Sequence, residues 1–438
     1  MANLSEKFEI ISPYIMAFAT SKPINAIKDG LVATMPLTLV GSVFLLIACA
    51  PIPGWNEWMA GIFGADWQAP LWQVTGATFD LIALVGVVCV AYQYAKNEGC
   101  EPLSAGMLGI VSFVIVTASS VVTKTEVVGG VLPKVWTGGK GMITAILIGL
   151  AVGYIYSWFC KRKIVIKLPE GVPEGVANAF TALIPAAAII TLSFMVYIGS
   201  KDLLGQTFVE FIYKVVQIPL QGISGSLFGA VAIPFLISFF WWFGIHGATV
   251  VGGVMGPILQ ANGLQNQDIM NAGGTLIAGQ NAHIVTQQFI DQFITFGGSG
   301  ITLGLVVAMC FLAKSNQMKT LGKLSLIPGL FNINEPILFG FTIVLNPIMF
   351  LPFLMVPTLS GIITYFSILY GLVPPFGAIS VPWTTPPILS GFIIGGWQAA
   401  TLQLCIIIMA AFIYLPFLKM IDKQQVKQEM QENLSEAE

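Results

Sequence analysis

One carboxylate, Glu335, stands in the otherwise apolar stretch 324–346, flanked by Asn332, Asn334 and Pro336. A lone ionised carboxylate in such company is strongly destabilising unless paired or solvated. The polar side chains crowded around it therefore point to the lining of a wet cavity. A carboxylate accepts hydrogen bonds from sugar hydroxyls, and asparagine amides both donate and accept. The two histidines of the chain lie in a second irregular stretch. His246 closes the run Trp241-Trp242-Phe243-Gly244-Ile245-His246-Gly247, and His283 ends Gly279-Gln280-Asn281-Ala282-His283. An ionisable group at membrane depth marks a site or a pathway by default; the plainer alternative is a neutral ring bonded to a carbonyl at a helix end. Trp242 and Trp383 offer indole faces to the apolar side of a pyranose, although tryptophan also populates membrane–water interfaces. Asp80 reads as a structural partner inside a bundle, and Asp291 sits near the end of an apolar segment.

The elements that must position these groups follow from composition. Of 438 residues, 56% are hydrophobic and 9% charged, against about a quarter charged in soluble domains. Lipid must be the solvent for most of this chain. The apolar residues come in blocks rather than alternating, which excludes an outer-membrane barrel and leaves a polytopic helical bundle. A net charge of −2 argues against nucleic acid. The six cysteines are scattered without a CxxC pair, so neither a disulfide framework nor a metal site is expected, and no cofactor is. The first thirty residues lack the apolar core of a signal peptide.

Spans are expected at 31–50, 77–95, 103–122, 142–160 and 177–199, then at 227–245, 290–313, 348–373 and 388–418, the last with tilt or a break. Each has about the 20 residues or more that cross hydrocarbon as a helix. Between them, 200–221 has amphipathic spacing with low net hydrophobicity and reads as an interfacial helix. The stretches 247–286 and 324–346 cannot be straight lipid-exposed helices. Two interrupted hydrophobic segments are the best sequence pointer to a transporter's substrate site. Lys22, Lys28, the cluster 161–167, Lys314, Lys319, Lys323, Lys419, Lys423 and Lys427 fit one cytoplasmic side; Lys124, Lys134 and Lys140 do not. An even number of crossings, about ten, is needed if both termini are cytoplasmic. No GxxxxGK[ST] motif occurs, so energy must come from an ion gradient or a separate partner.

The Gly-Ile-His-Gly segment at 244–247, the Asn-Ile-Asn-Glu-Pro segment at 332–336 and the Pro-Trp-Thr segment at 382–384 resemble the motifs of enzyme IIC. This is the membrane permease of the bacterial phosphoenolpyruvate-dependent sugar phosphotransferase system, in its lactose, cellobiose and diacetylchitobiose branch. The resemblance implies a homodimer in the inner (cytoplasmic) membrane. It implies a scaffold and dimerisation domain over 1–221, a sugar-binding domain with two re-entrant hairpins over 222–418, and a cytoplasmic tail over 419–438. It further implies that Glu335 and His246 lie near the sugar's reactive 6-hydroxyl, either one serving as general base. Trp242, Gly244, Gln280, Asn281, His283, Asn334 and Trp383 would recognise a β-linked disaccharide. The phosphoryl donor would be a cysteine on a separate IIB subunit, fed in turn by IIA, and no phosphorylated residue is expected in this chain. The competing reading is a proton-coupled oligosaccharide symporter using Glu335 or His246.

Overall fold

The computed structural model describes residues 20–435 except Pro51, Pro53, Lys124, Thr125 and Glu170, together with Pro13 and Ala17. Lys124 and both chain ends lie outside the described residues. The protein is an all-α multi-pass membrane protein. Among the described residues the only strands are a short antiparallel pair, Ser120–Val122 with Val127–Gly129. Among the described residues, six helices are long and apolar enough to cross a bilayer, or seven if the bent pair Phe208–Ser224 and Leu227–Trp242 makes one crossing. Pro102–Ile115 and Leu303–Leu312 are apolar but shorter. Long helices thus account for fewer crossings than the ten expected, because several apolar blocks are broken into short pieces.

The chain forms two compact units. The first comprises the described residues of Met1–Gly41, with Trp72–Gly222 and Gly252–Leu264; the second comprises Ser42–Leu71, Ile223–Val251 and the described residues of Gln265–Glu438. In the first unit, the Ile82–Asn97 helix packs on Met142–Lys161 and Pro102–Ile115 around Val87, Ala91, Ala105, Phe113, Val152 and Tyr156. Gly149 and Gly153 make the closest approach possible. A Cβ on them would lie 2.9 Å from Val90 Cβ and 2.6 Å from Tyr94 Cβ. Membrane helices bring backbones together in this way, with small residues one turn apart. The Glu98 carboxylate accepts from Lys22 Nζ at 2.8 Å and from Lys161 Nζ.

Three expectations change here. The 103–122 block is helical only over Pro102–Ile115. The Thr117 hydroxyl then donates back to Phe113 O at 2.6 Å, and the valine-rich residues beyond form the strand pair, as β-branched side chains favour. Asp80 sits in a break between Ala69–Thr78 and Ile82–Asn97. Its carboxylate lies 3.5 Å from Lys134 Nζ, and its carbonyl accepts from Thr137; Lys134 on the unexpected side thus has a counter-charge. The amphipathic segment begins at Phe208 rather than near 200. The Glu174–Leu204 helix runs through Lys201 and Asp202 until Gly205, at φ 65°, ends it. Thr207 and Glu210 then form a reciprocal capping box that starts the next helix.

In the second unit, Leu227–Trp242 packs on Pro347–Leu369, and Leu303–Leu312 packs on both Asn316–Leu330 and Leu389–Ser435. The 247–286 stretch is not broken throughout. Gly247–Asn271 is one helix, and only 272–286 is irregular. Its amides are tolerated because Asn266 and Gln267 are buried in protein rather than facing lipid. Conversely, the 290–313 block is no continuous span: Gln287–Phe293 and Leu303–Leu312 are separated by a turn with left-handed Gly297, Gly298, Gly300 and Ile301. The last block breaks at Gly395 and Gly396. There Gln403 Oε1 accepts from Ile388 N at 2.6 Å and from Gly391 N at 3.0 Å. A straight helix would hold residues so separated about 18–22 Å apart, so the chain folds back on itself as a tight hairpin.

Candidate functional site

Asn332–Glu335 occupies the tip of another hairpin, formed by Asn316–Leu330 and Glu335–Gly340. A Cβ on Gly340 would lie 2.7 Å from Leu321 Cδ1, whereas a straight helix would hold those residues about 28 Å apart. The turn is a Schellman motif. Asn332 N–H donates to Gly329 O at 3.1 Å, and Ile333 N–H donates to Pro328 O at 2.9 Å. Asn332 itself adopts φ 65°, a left-handed conformation that asparagine tolerates better than most residues. Its Oδ1 accepts from Gly297 N at 2.6 Å, and its Nδ2 donates to Trp383 O at 2.5 Å and Thr385 O at 3.0 Å. One side chain thus ties the hairpin tip to two other segments.

Asn334 is buried, and its Nδ2 donates to Ser299 O at 2.8 Å and Thr302 Oγ1 at 2.9 Å. Gly298 must be glycine: at φ 86°, a Cβ there would lie 2.3 Å from Asn334 Cβ. The Asn334 amide therefore positions the tip by holding the 297–302 turn. Glu335, the first residue of its helix, is exposed and has no hydrogen-bond or ion-pair partner among the described residues. Its carboxylate is the free group at the tip.

The Gly244–Gly247 segment is built in the same way. Gly244, at φ 78°, follows the Leu227–Trp242 helix; it donates to Trp241 O at 2.9 Å, and Ile245 N–H donates to Phe240 O at 3.0 Å. These bonds make a second Schellman motif. His246 then caps Gly247–Asn271, its Nδ1 accepting from Thr249 N at 3.2 Å. Its ring lies 4.4 Å from that of Trp241. Gly247 tolerates no side chain, since a Cβ would come within 1.9 Å of Ile237 O.

Trp242 donates its indole N–H to Asn346 O at 3.0 Å, accepts at its own carbonyl from Leu345 N at 2.9 Å, and meets Phe350 edge-on at 4.7 Å. The His246 turn is thereby joined to the 341–346 segment that follows the Glu335 helix. Trp383 is 60% exposed with only its backbone tied down, so its indole face is open. Gln280 is exposed. Asn281 closes its own loop through Ile277 N at 2.7 Å and Thr275 O at 3.0 Å. His283 is held by Asn266 at both backbone groups, each at 2.8 Å, and its Nε2 lies 3.1 Å from Gln265 Oε1.

The structure thus joins Asn332, Asn334, Glu335 and Trp383 into one cluster and links Trp242, Gly244 and His246 to the far end of the Glu335 helix. Gln280, Asn281 and His283 form a loop anchored on 265–267. Four positioning residues escape the sequence reading: Asn266, Gln267, Gln403 and Gly298. Three consecutive amides at 265–267 were the available signal for the first two. A separate cavity of about 560 Å³ is lined by Cys49, Ile52, Met270, Ile393 and Trp397. It touches none of the expected site residues and is mostly apolar. Among the described residues no His, Cys, Asp or Glu side chains cluster as a metal site would require.

The family model described as "Phosphotransferase system, EIIC" matches residues 28–357. The chain is 38% identical to the PTS system cellobiose-specific EIIC component of Geobacillus stearothermophilus over 435 residues, covering 96% of this chain and 94% of that protein. It is 39% identical to the Lichenan permease IIC component of Bacillus subtilis (strain 168) over 433 residues, with the same coverage of 96% and 94%. The crystal structure of the transporter ChbC, the IIC component from the N,N'-diacetylchitobiose-specific phosphotransferase system, superposes with a TM-score of 0.91 at 38% identity, covering 97% of this chain and 99% of that one. These similarities span nearly the whole chain, including both motif turns. The chain belongs to the EIIC family of the phosphotransferase system.

Proposed function

We propose that this chain translocates a β-linked disaccharide of the cellobiose or diacetylchitobiose type and presents its 6-hydroxyl for phosphorylation by a phosphocysteine IIB partner. The similarity to the cellobiose-specific and diacetylchitobiose-specific proteins supports the sugar class. The observation that carries the reading is an exposed, partnerless carboxylate, Glu335, at the tip of a hairpin that three asparagine-borne contacts hold rigidly. An exposed carboxylate without a protein partner among the described residues is free to bind a hydroxyl.

The proton bookkeeping divides the roles. The Thr249 amide and hydroxyl lie 3.2 and 2.8 Å from His246 Nδ1; in this reading the ring accepts there, carries its proton on Nε2 and acts as a donor. Glu335 is then the base. The sugar O6 attacks phosphorus, the S–P bond to the IIB cysteine breaks, and the hydroxyl proton passes to Glu335. Such a transfer needs chiefly positioning and charge stabilisation. The Trp383 and Trp242 indoles, the Gly244 backbone and the Gln280–His283 loop complete recognition. The new phosphate repels Glu335, which favours release inward. Alternating access is by rigid-body movement of the sugar-binding domain on a homodimeric scaffold. The exposed apolar face of Glu174–Leu204, with Phe180, Leu183, Phe194 and Met195, suits lipid or a second copy. Both termini face the cytoplasm.

Uptake of labelled cellobiose into membrane vesicles tests this. Accumulation of sugar phosphate only when IIA, IIB and phosphoenolpyruvate are supplied is the expected result. Accumulation of free sugar that a proton ionophore abolishes would establish the symporter instead.

A further inference from the structure

The helix that follows the Gly395–Gly396 break does more than cross the bilayer. Four of its polar residues fall within an arc of about 100° on one side of the helix, and each is bonded to the sugar-binding unit. Gln403 Nε2 donates to Gln292 O at 2.7 Å. Tyr414 OH donates to Gly300 O at 2.7 Å, within the same turn that Asn332 and Asn334 hold. Asp422, only 5% exposed, accepts from Lys314 N at 2.7 Å, Ser315 N at 2.9 Å and Ser315 Oγ at 2.7 Å. Glu429 accepts from Asn316 N at 3.2 Å and Gln317 N at 2.9 Å. Two carboxylates on the last turns of the chain thus satisfy the orphan amides at the start of the Asn316–Leu330 helix, whose other end carries Asn332 and Glu335.

We infer that Asp422, with Glu429, is a positioning residue for Glu335: the C-terminal helix grips the Asn316–Gly340 hairpin at its base and, through Tyr414, at the turn that supports its tip. The hairpin and the tail then move as one body. The inference rests on Glu335 acting on the sugar as proposed above. A carboxylate suits the task because it accepts from three donors at once, whereas an asparagine would turn its NH2 toward one of them. A charged acceptor at a helix start also complements the helix dipole.

The full-length chain in lipid nanodiscs and vesicles provides the test, with wild type, Asp422→Ala, Asp422→Asn, Asp422→Glu and Glu429→Ala compared. Hydrogen exchange over 314–340, the number of cellobiose sites and their Kd, and partner-dependent uptake are measured on each. Asp422→Ala is expected to speed exchange across 314–334, to leave the number of sugar sites per chain unchanged, and to lower maximal uptake about 100-fold, the order expected for ångström-scale misplacement of a reacting group. Asp422→Asn follows Asp422→Ala, and Asp422→Glu recovers part of the rate. Unchanged exchange, or uptake that falls only in proportion to the number of intact sites, overturns the inference. Should Asp422→Ala not fold, Glu429→Ala removes two of the five bonds at the hairpin base, and wild-type exchange and uptake in that variant overturn it equally. A wild-type chain that neither binds nor takes up cellobiose contradicts the functional reading instead, while hairpin exchange still reports whether Asp422 holds Asn332–Glu335.

Discussion

The Gly244–Gly247 and Asn332–Pro336 turns solve one problem in two ways. Each ends a helix with a left-handed residue followed by isoleucine, and each starts another helix at once. In the first, the capping side chain is turned inward: His246 Nδ1 satisfies the amide of Thr249. In the second, the capping residue is buried and turned away from its own helix. Asn334 makes no side-chain cap and instead holds the 297–302 turn. Under the proposed function, the difference teaches how a membrane site keeps its reacting group unencumbered. The histidine side chain is committed to its own helix. The asparagines carry the scaffolding around Glu335, whose oxygens have no partner among the described residues.

The sharpest way to break this comparison is Glu335→Gln. Sugar binding is expected to persist, because the amide still hydrogen-bonds, while partner-dependent phosphorylation falls by about 10²–10⁴-fold, the usual worth of a general base. Loss of binding together with phosphorylation would make Glu335 a recognition group and leave the two turns functionally alike. Next in size is Asn334→Ala. It strands Ser299 O and removes the bond to Thr302, and is expected to destabilise the unit by about 1–3 kcal/mol in reversible unfolding in detergent, with weaker sugar binding. The smallest expected effect on stability comes from His246→Asn. Asparagine is itself a good helix cap, so the melting temperature should hold while phosphorylation falls, because the ring N–H is gone. A matching drop in both would mean that His246 serves only its helix.

What was legible in the sequence tracks what local chemistry dictates. Low charge and long apolar blocks announced a helical membrane protein, and Pro328, Asn332 and Pro336 announced a break inside an apolar block. The length of the last block announced a tilt or a break, which Gly395 and Gly396 supply. The Gly247–Asn271 helix was misread as irregular because glycine and amide content signals a loop only when the segment faces solvent or lipid; here tertiary burial of Asn266 and Gln267 overrides propensity. The break at 297–302 was missed for the opposite reason. Its glycines sit in an apolar run, and the partners that demand them, Asn334 and Tyr414, are remote in sequence. Hydropathy has no access to contacts of that kind. The role of Asp422 was hidden likewise, since a tail carboxylate among lysines reads as solvated charge until its three donors are seen.

The reading stands or falls on where a disaccharide's 6-hydroxyl rests. A structure of this chain with diacetylchitobiose or cellobiose bound decides it. The account predicts Glu335 carboxylate oxygen and His246 Nε2 both within about 2.6–3.2 Å of that oxygen, with a pyranose face against Trp383. A sugar lodged instead in the cavity beside Trp397, with Glu335 left in water, would contradict it.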